Sequence, residues 1–296
     1  MTRVLFVLGY LGSGKTTFVK NFLSRHTGKN AVLVNDFGAE DVDGILLEGS
    51  AEKVESIFNG SVFCSCRSEK FVETMIRLSE ENFDNILVET SGLANPFQMR
   101  KLFDYINGKV TNQFSFAGAV CIADAANIEK VLYTLNAVKM QIAAADVILI
   151  NKTDLAVEET RLRVQNAVRE LNADASLYFT VGAVLPSEDF PIRQRELPEF
   201  IEDITVQKVK VSFKREISLE QLRRISVSLA PFCHRIKGVI EREDGYTVYE
   251  FSDGTEKYVK TQKKGNFLIL LSACKFSLRK KASEILEQEG VEFTIC

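Results

Sequence analysis

A chain of 296 residues with 46% hydrophobic content is long enough for one large or two medium domains with buried cores. Its formal net charge of -3 and pI near 5.7 exclude the broad basic footprint of a nucleic-acid binder. No segment approaches the roughly 20 apolar residues of a membrane span, the first apolar run is too short for a signal peptide, and six scattered cysteines argue against a disulfide framework, so a cytoplasmic protein is expected.

The runs Val4–Leu8, Ala31–Val34, Ile86–Val88, Ala119–Ala123 and Val147–Ile150 are almost wholly apolar, the pattern of strands buried on both faces of a parallel sheet. Helical patterns lie between them. Phe71, Met75 and Leu78 follow Ser68, a candidate N-cap, at helical spacing, and Leu155 to Leu171 is a second amphipathic stretch. A strand is expected at Leu177–Thr180. This alternation predicts an α/β domain with a doubly wound, mostly parallel sheet over residues 1–185. Residues 186–204, with Pro186, Pro191, Pro198 and several charges, read as a linker. After residue 205 the period changes. Val209, Val211 and Phe213 alternate with Lys208, Lys210, Ser212 and Lys214, Ser218–Gln221 reads as a capping box opening a helix to Leu229, and Asp244-Gly245 and Asp253-Gly254 read as hairpin turns. A strand at Asn266–Leu271 and a helix at Ser277–Gln288 close a small α+β domain over 205–296. The basic stretch Lys257 to Lys264 reads as a solvated edge.

Three local motifs carry the chemistry. Gly9-Tyr10-Leu11-Gly12-Ser13-Gly14-Lys15-Thr16 fits the phosphate-loop pattern in full, between a strand and a helix. Its glycines let successive N–H groups face phosphate oxygens, Lys15 reaches the β- and γ-phosphates, and the Thr16 hydroxyl suits Mg²⁺. Glu89-Thr90-Ser91-Gly92 ends the Ile86–Val88 strand. Glu89 there can hold Mg²⁺ through water or orient the attacking water, and the Gly92 N–H can approach the γ-phosphate. Asn151-Lys152-Thr153-Asp154 decides the base. The Asp154 carboxylate accepts from guanine N1–H and the exocyclic amine, a donor pair that adenine lacks. The Lys152 stem covers the base, Asn151 ties back to the phosphate loop, and Val181 and Gly182 offer backbone N–H to the guanine oxygen. Between the first two motifs, Asn35–Gly44 carries two glycines and four carboxylates and reads as a switch, with Asp36 as the magnesium contact. Lys15, Asp36 and Glu89 are therefore the expected catalytic residues, with GTP and Mg²⁺ as ligands.

Cys64-Ser65-Cys66 follows Gly60-Ser61-Val62-Phe63. Thiols at i and i+2 of an extended chain lie about 7 Å apart along it, too far for one zinc at about 2.3 Å per sulfur, so the segment must turn. Two thiolates make half of a tetrahedral site, and Glu40, Asp41, water or a second protomer's pair are candidates for the rest; buried structural cysteines or a redox pair are the other readings. Cys121, Cys233, Cys274 and Cys296 read as isolated thiols, and His26 and His234 as surface or satisfied core groups.

With these residues in view, the chain resembles the CobW-type GTPases, relatives of the nickel-insertion GTPases of hydrogenase and urease maturation. The resemblance rests on Gly9–Thr17, Asn35–Gly44, Asn59-Gly60 before the cysteines, Glu89–Pro96 and Asn151–Asp154, and more weakly on Arg235-Ile236-Lys237-Gly238 in the C-terminal part. It implies a slow cytosolic GTPase with Gly9, Gly12, Ser13, Gly14, Lys15, Thr16 and Thr17 at the phosphates. It also implies a metallochaperone or cofactor-insertion factor, with a C-terminal domain that contacts partners. The family usually carries Gly-Cys-x-Cys-Cys; here Ser61 and Phe63 stand where two of those thiols fall, and Cys66 lies outside the pattern. The expected function is delivery of a metal or metallocofactor, zinc or a corrinoid among the candidates, to a client metalloprotein or cofactor-dependent enzyme. Cys64, Cys66 and Glu40 are the candidate ligands, and a homodimer would complete a four-thiolate site. The alternative is a GTP-dependent switch that activates a partner without transferring metal. Nucleic acid and membrane are not expected partners.

Overall fold

The computed structural model describes residues 1–36, 47, 49–58, 68–94, 96–132, 135–187, 190–192, 207–233, 235–252, 254–272 and 277–295, with only the backbone described for Asp36, Phe58, Ser68, Phe97 and Ser252. Glu40, Asp41, Cys64, Cys66, Cys274, Cys296, His234 and most of the expected linker lie outside these residues. The chain divides into two compact units, Met1–Asp203 and Ile204–Cys296.

The first unit is built on strands β1 (Arg3–Gly9), β2 (Asn30–Asp36), β3 (Lys53–Phe58), β4 (Asn85–Glu89), β5 (Ser115–Asp124), β6 (Val147–Asn151) and β7 (Ser176–Phe179). They form one sheet in the order β3-β2-β4-β1-β5-β6-β7, with every pair parallel. All five residues of β4 and of β6 are buried, which is why these strands read as unbroken apolar runs. Alternate residues of β1 face opposite layers. Leu5 and Val7 join Phe18, Val19, Phe22 and Leu23 of α1 (Lys15–Arg25) in one core. Phe6 instead meets Phe103 of α3 (Met99–Asn107) edge-on, with ring centroids 6.5 Å apart. Between α1 and α3 in the chain, α2 (Ser68–Ser79) buries Phe71, Met75 and Leu78. Helices on both faces make this the doubly wound α/β fold that the sequence predicts. The chain leaves β1 toward β2 on one side and passes from β4 to β5 on the other. The sheet order thus reverses at β1, and ligands of such sheets bind beyond the carboxyl ends of strands at that point.

Two short helices, α4 (Ile128–Leu132) and α5 (Asn136–Ala144), follow β5. After β6 the expected helix from Leu155 begins only at Glu158, as α6 (Glu158–Leu171). Thr153–Leu155 forms a 3-10 turn instead, and Leu155 is exposed.

In the second unit β8 (Gln207–Phe213), β9 (Arg235–Arg242), β10 (Gly245–Ser252), β11 (Thr255–Thr261), β12 (Phe267–Ser272) and β13 (Phe293–Ile295) form an antiparallel sheet in the order β11-β10-β9-β12-β8-β13. Helices α7 (Leu219–Leu229) and α8 (Leu278–Gln288) contribute Leu222, Ile225, Leu229, Leu278, Ala282 and Leu286 to its core. At the start of α7 the Ser218 side chain accepts from Gln221 N at 3.1 Å. The reciprocal half of the predicted capping box is not made, because Gln221 Nε2 donates to Glu289 O at 2.9 Å.

Candidate functional site: a phosphate loop held between two neighbouring loops

The segment after β1 folds as its glycines require. Gly9, Gly12 and Gly14 have φ of 139°, 74° and 112°, values that L side chains rarely adopt. At Gly14 a Cβ would also fall 2.6 Å from Asn151 Nδ2. Gly14 is the N-cap of α1 and brings no side chain to it, and the first turn of α1 contains no acidic residue. The helix start thus presents amide N–H groups and a positive dipole end with no built-in anion, the arrangement that takes a phosphate. Ser13 Oγ is buried with no hydrogen-bond partner among the described residues, a polar atom left for a ligand. Lys15 is buried and its Nζ donates to Gly9 O at 3.0 Å and Tyr10 O at 3.3 Å, curled over the loop.

The end of β4 abuts this loop. Thr90 N and Thr90 Oγ1 both donate to Val7 O at 3.0 Å, fastening β4 to β1 just before the phosphate loop. Glu89 is buried, and its Oε1 accepts from Thr16 Oγ1 at 3.0 Å. This pair sets a hydroxyl and a carboxylate together, hard oxygen donors suited to Mg²⁺. A Cβ on Gly92 would fall 2.6 Å from Leu11 N, so the loop after β4 touches the phosphate loop backbone to backbone.

On the other side, Asn151 Nδ2 donates to Ser13 O at 2.8 Å while its Oδ1 accepts from Ala183 N at 2.8 Å. Lys152 has φ 61° and its Nζ lies 2.6 Å from Asp124 Oδ2. Asp154 is exposed on the 3-10 turn, which Thr153 holds by donating to Thr180 O from its N–H and its hydroxyl. Gly182 and Ala183 both have positive φ, and Val181 is exposed. Asn21 Nδ2 donates to Gly182 O at 2.5 Å and Arg25 Nη1 to Leu185 O at 3.1 Å, fixing this loop to α1.

Phosphate loop, Glu89–Gly92 and the Asn151–Asp154 tetrad thus share one end of the sheet. Asp36 stands at the last position of β2, opposite Phe58. Among the described residues no three His, Cys, Asp or Glu side chains group as a metal site. Cys121 lies in the sheet next to β1, and burial pushes its thiol up to about 12; it is not a ligand candidate. His26 stacks on Phe22 at 3.8 Å and its Nδ1 lies 2.7 Å from Phe22 O. Four positioning side chains went unread in the sequence: Asn21, Arg25, Asp124 and Gln141. Gln141 alone left a signal there, as a polar residue before the apolar Ile142–Ala145.

Fold and site together define a P-loop nucleotide-binding domain. Residues 3–179 match the family model described as CobW/HypB/UreG, nucleotide-binding domain, and the chain belongs to that family. It is 29% identical over 182 residues to the zinc chaperone YjiA of Escherichia coli, covering 59% of this chain and 56% of that protein. It is 31% identical over 187 residues to zinc-regulated GTPase metalloprotein activator 1 of Schizosaccharomyces pombe, covering 60% of this chain and 45% of that protein. A longer match, 25% identical over 289 residues, relates it to the zinc chaperone CobW of Sinorhizobium sp, covering 83% and 80% of the two chains. The first two matches span about half the length of those relatives.

Proposed function

We propose that this protein binds GTP with Mg²⁺, hydrolyses it slowly, and uses the nucleotide cycle to hold and release a transition metal for a client protein. The observation that carries the nucleotide part is the phosphate loop held between the Glu89–Gly92 loop and the Asn151–Asp154 turn. In this reading Gly9, Gly12, Ser13, Gly14 and Thr17 hold the phosphates, Lys15 meets the β- and γ-phosphates, and Thr16, Asp36 and Glu89 serve the magnesium. Bound Mg²⁺ would neutralise charge on the transferring phosphoryl group. Asp154, Lys152, Val181 and Gly182 recognise guanine. A slow intrinsic rate is part of this proposal, with Lys15, Mg²⁺ and backbone N–H groups stabilising charge on the phosphoryl group. Domain limits of 1–185 and 205–296 around a 186–204 linker belong to the same proposal.

Metal is cargo here, and zinc is its leading identity, supported by the relatives named zinc chaperone. Cys64 and Cys66, with Glu40, are the proposed ligands, and a second protomer's thiols would complete four-thiolate coordination. A corrinoid-related cofactor is a second candidate cargo. No described helix is long and apolar enough to cross a membrane. A cytoplasmic location is proposed because a reducing compartment suits a buried free thiol such as Cys121. One observation favours a partner switch without metal transfer: Ser61 and Phe63 stand where family thiols are usual.

The test is GTP turnover alongside cobalt(II) titration of the reduced, metal-free chain. The proposal expects Mg²⁺-dependent turnover that Lys15→Ala abolishes, and thiolate charge-transfer absorption that Cys64→Ser removes while GTP still binds. Turnover unchanged in Lys15→Ala refutes the nucleotide assignment. Turnover without any cobalt–thiolate band refutes metal delivery and leaves the partner switch.

A further inference from the structure

Gln141 is fully buried in α5, beside Met140, Ile142, Ala143 and Ala144, which are buried too. A carboxamide in such surroundings is costly unless its polar atoms are met. Its hydrogen-bond partners among the described residues are all backbone atoms of the candidate nucleotide site. Oε1 accepts from Gly9 N at 3.0 Å, and Nε2 donates to Gly92 O at 3.2 Å and to Ala94 O at 2.8 Å. Gly9 ends β1, and its own carbonyl accepts from Lys15 Nζ. One side chain therefore joins the entry of the phosphate loop to the loop after β4. Further along the same stretch Asn151 does the corresponding work at the exit, between Ser13 O and Ala183 N. The segment from Gln141 to Asn151 holds the phosphate loop at both ends, to the γ-phosphate side through Gln141 and to the base side through Asn151.

We propose that Gln141 is a positioning residue that sets how strongly the protein distinguishes GTP from GDP. The inference rests on reading this site as a GTP site. Gly92 is the group proposed to meet the γ-phosphate, which GDP lacks. With Gly92 O and Ala94 O tethered to a side chain that also holds Gly9 N, the loop stays beside the phosphate loop before nucleotide arrives. Ordering it then costs less when a γ-phosphate binds. GDP makes no contact with Gly92, so it gains nothing from the tether, and only such differential contacts can separate two nucleotide states. A residue that merely packs α5 would act on both nucleotides alike.

The experiment uses the full chain with Mg²⁺ and compares wild type, Gln141→Glu and Gln141→Asn. Affinities for fluorescent GDP and a non-hydrolysable GTP analogue are measured with kcat and KM for GTP. Ionised glutamate keeps the acceptor for Gly9 N but cannot donate to Gly92 O or Ala94 O. Asparagine keeps both polar functions on a stem too short to span the two loops, and serves if the charged variant fails to fold. The expected result is about tenfold weaker binding of the GTP analogue, within the usual range of coupling between sites, with GDP affinity within about threefold of wild type and a lower kcat. Equal weakening of both nucleotides, or no change in either, overturns the role of Gln141. Wild-type protein that binds neither nucleotide overturns the GTP-site reading itself, and this inference with it.

Discussion

Replacing Asn151 by alanine tests the base side of the site most severely. Its carboxamide makes two hydrogen bonds of 2.8 Å, and Asn151, Ser13 and Ala183 are all buried. Alanine leaves Ser13 O and Ala183 N without those partners, and each orphaned buried group costs about 1–3 kcal/mol. Some relaxation of the loop toward solvent lowers the total, so about 2–4 kcal/mol is expected from urea unfolding of the first unit. Guanine nucleotide affinity should fall as well, since the same side chain holds the phosphate loop and the loop of Gly182 and Ala183. The carboxamide also fills the space beside Gly14, where a Cβ would meet Nδ2 at 2.6 Å. Gly14→Ala therefore suffers both a clash and its φ of 112° in the wild-type background, but only the φ once Asn151 is alanine. A double-mutant cycle should show at least about 1 kcal/mol of favourable coupling. Additive effects, or a loss below about 0.5 kcal/mol for Asn151→Ala, would refute the clamp.

Other consequences are checked more simply. Asp154→Asn should reduce preference for GTP over ATP by about 10–100-fold, the worth of a hydrogen bond to a charged group; unchanged selectivity in competition binding counts against the base assignment. Cys121, its thiol pushed up to about 12 by burial, should resist alkylation at pH 8 in the folded protein and react on unfolding, as read by mass spectrometry. The Arg77 guanidinium beside Glu55, with Nη1 2.6 Å from Oε1, holds that carboxyl below the ordinary carboxylate range. A lowered folded value means stability that is present above the unfolded pKa and lost as pH falls through the folded one. Arg77 is half exposed, so Glu55→Gln should cost under about 1 kcal/mol at pH 7 and nothing in strong acid; a cost that persists at pH 2 contradicts the ion pair as its source.

Strands with both faces covered were the most legible elements, because β1, β4 and β6 are nearly continuous apolar runs. Edge strand β3 was not legible. Lys53 and Glu55 break its apolar pattern, and they are there to pair with Glu81 and Arg77 across the surface. Helix α5 hid for the opposite reason: most of it is buried, so it has no polar face to set a period. The nucleotide motifs were readable because each is a local string whose glycines and polar residues have fixed offsets. Their supports were not. Gln141 is 132 residues from Gly9, and Arg25 is 160 from Leu185, pairings that only the sheet order brings about. The tetrad also moved the start of α6, since Thr153–Leu155 forms a 3-10 turn rather than the first turn of the helix.

The most direct test of the central claim is the zinc affinity of the reduced, metal-free protein, measured with a competing chromophoric chelator in the presence of GDP or of a non-hydrolysable GTP analogue. The account predicts zinc affinities that differ by about tenfold or more between the two nucleotide states, a reciprocal effect of zinc on nucleotide binding, and loss of the difference in Cys64→Ser. Equal zinc affinity in both states, or no zinc binding in either, would contradict it.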